Sequence, residues 1–284
     1  MRRLVALVLI FIFILVGCSN PAPDKDIFQA KQEDNISDTT DSSGNISSGL
    51  PTTPADIHVT PSDITEDTGG IIDATPFDIP VYPSPLDAKL GEEYSGTQQV
   101  IMVSVDNEST TVCSIAVYGK ENGQWVLVDS CKGYVGYKGC VDGAERMQST
   151  NKTPLGIYRI TAAFGIADDP GALYPYTKIT EGMYWDLNSG SDTYNRLVYT
   201  DPNGDRELLW KMGAQYNYVL NTSYNEEQVI GKGGAIFIHC SKNEPTAGCV
   251  SMPEENMLKL ICWVDPAKNP VMLSCLTEDI PSIN

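Results

Sequence analysis

Histidine is scarce in this chain: two in 284 residues, His58 and His239. Positive charge is scarce as well, 19 Lys and Arg against 37 Asp and Glu, for a net charge of −18. That balance argues against a general phosphate-binding surface and against nucleic acid as a partner. No apolar run reaches the about 20 residues a membrane-spanning helix needs. The longest, Leu4 to Val16, stops at 13. The glycine-rich stretch Lys132 to Gly143 has no phosphate-loop pattern. The 8 cysteines include no paired C-x₂₋₄-C knuckles, so no usual zinc-ligand spacing is present. The sequence therefore reads as a chain that uses neither metal nor cofactor.

What is there begins with an export signal. Arg2 and Arg3 precede the apolar run, the layout of a signal peptide. The run ends in Leu15-Val16-Gly17-Cys18, which resembles the bacterial lipobox. In signals of that kind the cysteine is lipidated and cleavage falls just before it. The resemblance implies a signal peptide over 1–17, a lipid anchor on Cys18, and an exported, membrane-anchored lipoprotein facing the cell wall or periplasm.

Residues 18–93 read as a tether. From Ser19 to Glu93 acidic residues outnumber lysines by 15 to 3, and no period of 2 or 3.6 persists. Such a segment buries too little apolar surface to offset its ordering entropy. As a coil it spans roughly 50 Å. His58 lies within it and reads as a solvated residue.

From about Tyr94 the composition turns β-rich, and residues 94–284 read as one folded domain. The runs Gln99 to Ser104, Thr111 to Tyr118 and Gln124 to Ser130 are strands, the last two joined by the hairpin signal Asn122-Gly123. That hairpin brings Cys113 and Cys131 near one another, as a disulfide or as two half-buried thiols. Tyr174, Tyr176, Tyr184 and Trp185 fall on an irregular stretch that suits a binding groove. Glu207 to Met212 is a short helix or strand, and Tyr216 to Leu220 a strand.

The chain is organised around Ala235 to Met252, AIFIHCSKNEPTAGCVSM. A short buried strand ends at His239, and a polar loop leads to Thr246-Ala247-Gly248-Cys249. A histidine and a cysteine from neighbouring strand ends are what a thiol acyl-transfer site needs: the imidazole takes the thiol proton and the sulfur attacks a carbonyl. Gly248 lets backbone amides beside Cys249 approach an oxyanion. Cys240 points to the opposite face of the strand. A helix follows, capped by Ser251 with Pro253 in its first turn, and its N-terminus is expected to lower the Cys249 pKa.

These pieces resemble the L,D-transpeptidase catalytic domain (YkuD-type). Thr153-Pro154-Leu155-Gly156-Ile157-Tyr158 is similar to its TP-x-G-x-[FY] segment. Tyr194-Asn195-Arg196 and Tyr216-Asn217-Tyr218 are similar to further segments. Ile236-Phe237-Ile238-His239 and Thr246-Ala247-Gly248-Cys249 are similar to its two catalytic blocks. The resemblance implies a mainly β domain, an L,D-transpeptidase-like β-sandwich with a few short helices, acting on peptidoglycan stem peptides. It implies Cys249 as nucleophile, His239 as base, and the Gly248 and Cys249 amides as oxyanion donors. The family's second block usually carries a histidine where Ala247 stands and an arginine where Ser251 stands. Thr246, Arg196 and Ser251 are the candidates for substrate binding, with Lys242 a further substitute for the arginine. The implied reaction is attack on the carbonyl before a terminal D-alanine, then capture of the thioester by an amine of a second stem, a 3→3 cross-link. An L,D-carboxypeptidase, or a non-catalytic peptidoglycan-binding lipoprotein, remains open.

Overall fold

The computed structural model describes residues 84–283. The signal segment, Cys18 and all but the last residues of the tether lie outside them. The folded part starts earlier than the composition change at Tyr94. Helix α1 (Pro85–Leu90) stands inside the stretch read as tether, capped by Ser84, whose hydroxyl accepts from the Asp87 amide at 3.1 Å. Leu86 and Leu90 are fully buried, and Asp87 pairs with Lys120 at 2.7 Å. Two leucines four residues apart form one apolar stripe, enough to dock a short helix in an otherwise polar segment.

Most of the described chain is β. Strands β1 (Gln99–Val105), β2 (Val112–Glu121) and β3 (Gln124–Tyr134) form a meander. Asn122 and Gly123 both take positive φ, 50° and 82°, as the tight hairpin predicted from the sequence requires. Then come β4 (Cys140–Asp142), the long β5 (Thr153–Gly165), β6 (Tyr176–Lys178), β7 (Tyr184–Asp186), β8 (Arg196–Val198) and β9 (Arg206–Leu208). After two 3₁₀ turns follow β10 (Val219–Thr222), β11 (Phe237–Cys240), β12 (Val250–Met252), helix α2 (Glu254–Trp263) and β13 (Val271–Leu276).

The main sheet runs β10-β11-β12-β3-β2-β1-β13-β5-β4, and β10 returns to pair with β5. The length of β5 makes this return possible: residues 156–159 pair with β13 and residues 160–164 with β10. A second sheet, β8-β7-β9, carries part of the irregular stretch. The expected mainly β architecture with few helices holds.

β1 shows how the layers arise. All seven of its residues are buried, so it reads as an apolar run rather than an alternation. Ile101, Val103 and Val105 face a core shared with Met257, Leu260 and Ile261 of α2. Val100 and Met102 face a core with Leu86, Leu90 and Trp125. A third core joins Phe164, Trp185, Tyr216, Val219 and Phe237. Tyr174 and Trp185, expected on a groove, are instead buried and spend their polar atoms inward, on the Ile160 carbonyl and the Asn195 side chain.

The seven cysteines among the described residues are free. Cys113 faces Gly133 and Cys131 faces Ile115, so the hairpin register sets the two thiols diagonally rather than opposite.

Candidate active site

β11 and β12 are parallel neighbours, with Ile238 opposite Val250 and His239 opposite Ser251. Strand alternation puts Phe237 and His239 on one face, Ile238 and Cys240 on the other. Cys249 precedes β12 and falls on the face of Phe237. The Phe237 amide donates to Cys249 Sγ at 3.4 Å, and the thiol donates to the Ala235 carbonyl at 3.1 Å. Ala235 itself holds a left-handed φ of 53°, an uncommon conformation for alanine that aims this carbonyl at the sulfur.

Cys249 is buried, and that burial pushes its thiol up to about 12, with the Glu207 charge adding and the Phe237 amide opposing. This reverses the expectation of a thiol acidified by a helix start. α2 begins only at Glu254, with Pro253 at its cap and no side-chain capping bond. Ser251 belongs to β12, and its buried hydroxyl has no hydrogen-bond partner.

His239 is buried beside Tyr216, ring centres 5.3 Å apart. Its Nδ1 lies 2.9 Å from the Cys240 carbonyl. A carbonyl only accepts, so Nδ1 carries the proton of the neutral ring and Nε2 is left as the basic nitrogen. Burial pulls the imidazole down to about 4, against the backbone of Cys240 and Gln215, which supports the charged form. Thiol and imidazole are therefore both neutral at pH 7, and among the described residues no hydrogen bond joins them.

The loop that carries Cys249 is braced by two threonines. Thr246 Oγ1 donates to the Cys249 carbonyl at 2.6 Å and accepts from the Gly248 amide at 3.1 Å. Thr153 Oγ1 accepts from the Gly136 amide at 2.8 Å and lies within 2.9 Å of the Gly248 carbonyl. The Thr-Pro segment recognised in the sequence thus acts as a buttress under Gly248 and Cys249. Gly248 has φ 135°, and a side-chain carbon there would lie 3.1 Å from the Lys152 carbonyl and 3.2 Å from Arg146 Nη2. Only glycine fits without displacing that wall.

A cavity of about 350 Å³ opens at the thiol, lined by Cys249, Ala247, Ala235, Arg146, Glu207 and Asp205 among others. Glu207 accepts from the Tyr216 hydroxyl at 2.6 Å. Burial raises its carboxyl to about 7, and the Tyr216 bond offsets part of that rise. Neither Glu207 nor Arg146 was picked out from the sequence. Glu207 reaches the cavity only because three-residue β9 pairs with β7, and Arg146 sits in a loop without periodicity.

The structure sets Thr246 and Gly248 directly against Cys249 and puts His239 on the same sheet face, though His239 does not line the cavity at the thiol, and it sets the other two candidates apart. Arg196 lines a different cavity and spends its guanidinium on the carbonyls of Asn195 and Glu226, 3.3 and 2.6 Å away. Ser251 is buried in the sheet opposite His239 and does not line the cavity at Cys249.

The family model for the YkuD L,D-transpeptidase catalytic domain matches residues 98–273. No curated protein sequence matches the chain. Among solved structures, the Bd1075 protein of Bdellovibrio bacteriovorus is similar at 16% identity and a TM-score of 0.33, over 62% of this chain and 47% of that one. A likeness that loose, spanning less than half of the other protein, carries no argument about function.

Proposed function

The chain belongs to the YkuD L,D-transpeptidase catalytic domain family, and from that premise we propose that it is a cysteine-dependent L,D-transpeptidase of peptidoglycan stem peptides. One observation carries the reading. His239 within β11 and Cys249 at the entry to its parallel neighbour β12 lie on the same face, and the Cys240 carbonyl holds His239 Nδ1, which leaves Nε2 as the candidate base.

Because the resting thiol is neutral, its proton must leave as the sulfur attacks. Sγ swings from the Ala235 carbonyl toward Nε2, gives up the proton, and bonds to the carbonyl carbon before the terminal D-alanine. The oxyanion is held by the Cys249 amide, and by the Gly248 amide once it leaves Thr246 Oγ1. Collapse breaks the peptide bond, and the imidazolium returns its proton to the departing D-alanine amine. An amine of a second stem then attacks the thioester, regenerates the thiol and closes a 3→3 cross-link. With water as acceptor the same site is an L,D-carboxypeptidase. Residues 1–17 serve as signal, Cys18 carries the lipid, and the segment before α1 holds the domain out toward the wall.

The full-length chain incubated with a carbapenem tests both ends of the proposal by mass spectrometry. A stable adduct on Cys249, absent from Cys249→Ala, and a lipid mass on Cys18 are expected. Folded protein with Cys249 unmodified would overturn the catalytic reading in favour of a wall-peptide-binding protein. A bare Cys18 in membrane-derived protein would overturn the anchor.

A further inference from the structure

Arg146 is 4% exposed, on the loop between β4 and β5. Its Nε donates to the Lys152 carbonyl at 3.0 Å and its Nη1 to the Lys232 carbonyl at 2.7 Å. The guanidinium lies over the Tyr224 ring, 5.1 Å from its centre. Two backbone carbonyls and an aromatic face fix its plane, but none of them neutralises its charge. None of the ion pairs among the described residues includes Arg146. A nearly buried cation without an anionic partner is costly, and one that opens on a cavity is relieved by an anion arriving there.

Its remaining nitrogen points to where that anion binds. Nη2 makes no hydrogen bond among the described residues, and it lies 3.2 Å from where a side-chain carbon on Gly248 would sit. Arg146 and Cys249 line the same cavity. The other cations are spent or elsewhere. Arg206, also at the cavity, lies 3.0 Å from Asp201, close enough to neutralise its charge although Nε makes no hydrogen bond among the described residues, and it donates Nη1 to the Gly204 carbonyl. Lys242 does not line it.

We infer that Arg146 is the specificity-determining residue that receives the free carboxylate of the acyl donor, in place of the arginine expected where Ser251 stands. The inference rests on the acyl-transfer reading of the site. A peptide ending one residue past the attacked carbonyl carries its α-carboxylate about 3.8 Å further along the chain. A guanidinium beside Gly248 meets a carboxylate at that reach through a charge-assisted hydrogen bond. Donors that end there are accepted. Donors that are amidated, or that continue for a further residue, leave Arg146 unpaired and are rejected.

The test uses the full-length chain and two synthetic tetrapeptide stems, one with a free C-terminal carboxylate and one with a C-terminal amide. Calorimetric binding to the Cys249→Ala protein is measured beside D-alanine (or D-alaninamide) release by wild type. The acid is expected to bind at least 10-fold tighter than the amide. Arg146→Gln is expected to weaken the acid 10- to 100-fold and leave the amide unchanged, with Arg146→Lys between the two. Alkylation of Cys249 by uncharged iodoacetamide reads the intact site and is expected to slow modestly, since the Arg146 charge favours the thiolate, whereas a misfolded site exposes the thiol and alkylates faster. Equal binding of acid and amide by the Cys249→Ala protein would overturn the inference even if Arg146→Gln failed to fold. Equal losses for acid and amide in a folded Arg146→Gln protein would overturn it too, as a structural role. An acid preference that depends on Arg146, in a protein releasing no D-alanine, would sink the enzymatic reading and keep the carboxylate site.

Discussion

Cys240 on β11 and Cys249 at the entry to its neighbour β12 lie on opposite faces of the sheet, and the contrast between them shows what makes a thiol a candidate nucleophile. Cys240 faces the core with Ile238, Val250 and Met252, its thiol directed at the Tyr218 carbonyl at 3.8 Å. Cys249 faces the other way, held between the Phe237 amide and the Ala235 carbonyl. Burial raises both thiols, to about 11 and about 12. Resting acidity therefore does not separate them; if anything it favours Cys240. What separates them is company. Cys249 opens on a cavity lined by two guanidinium and two carboxyl groups and shares its sheet face with His239. Cys240 follows His239 in sequence, yet strand alternation turns it away.

The largest effect expected from this contrast is on reactivity. Cys249→Ala should reduce carbapenem acylation and D-alanine release to background, a loss of about 10³-fold or more for removal of a nucleophile. Cys240→Ala should leave both within a few-fold and cost about 1 kcal/mol of stability, as for a small apolar group removed from a core. Rate measurements on the pair, with urea unfolding alongside, check this. A Cys240→Ala protein that folds but has lost acylation would break the comparison.

Much of this contrast was legible in the sequence. The apolar run at Ile236 to Ile238, followed by His239, gave a buried strand with an alternation that assigns faces. Gly248 before Cys249 marked a position where the backbone must come close, and φ 135° there is the reason. The elements that failed did so for local reasons. Ser251 reads as a helix cap because Pro253 and Glu254 follow it, but pairing with β11 claims it for a strand and the helix starts at Glu254. Residues 85–90 read as tether because they end an acidic, proline-punctuated stretch with no sustained period, while two leucines on one face suffice to anchor them. Glu207 and Arg146 could not be read at all: Glu207 reaches the cavity through the pairing of β9 with β7, and Arg146 through a loop with no local pattern.

A middle-sized effect concerns the pH dependence that Glu207 confers on the active face. Its carboxyl is raised from 4.5 to about 7, chiefly by burial, so the folded protein keeps a proton that the unfolded chain gives up. Stability from this group is fully present below about pH 4.5 and declines as pH rises, until it is lost above about 7. The shift corresponds to roughly 2–3 kcal/mol across that window, the lower figure allowing for partial solvent contact. Glu207→Gln keeps a partner for the Tyr216 hydroxyl and does not titrate. Urea unfolding of wild type against Glu207→Gln from pH 4.5 to 8 should show the wild type losing stability relative to the variant. The variant's Cys249 should also alkylate faster at pH 8, where the neighbouring negative charge is gone. Parallel stability profiles for the two proteins would place Glu207 in water rather than against the thiol.

The smallest effect bears on Ser251, on the same face as His239 and opposite it in register. If serine there bound substrate as the family's arginine is expected to, its removal would raise KM. The structure gives it no route to do so: it is 1% exposed, outside the cavity, and its hydroxyl is unpartnered. A buried hydroxyl without a partner costs about 1–3 kcal/mol relative to one that is bonded, and an apolar replacement of similar shape is close to neutral or mildly stabilising. Ser251→Ala should therefore change stability by no more than about 1 kcal/mol, in the stabilising direction, and leave kcat and KM for a tetrapeptide stem unaltered. Thermal unfolding and steady-state release of D-alanine read the two quantities separately. A higher KM in a protein of unchanged stability would mean that the sheet opens at β12 to admit substrate, and that the active face extends past His239. Unchanged kinetics would confine that face to the stretch from Ala235 to His239 and its Cys249 neighbour, with carboxylate recognition supplied from outside the two strands.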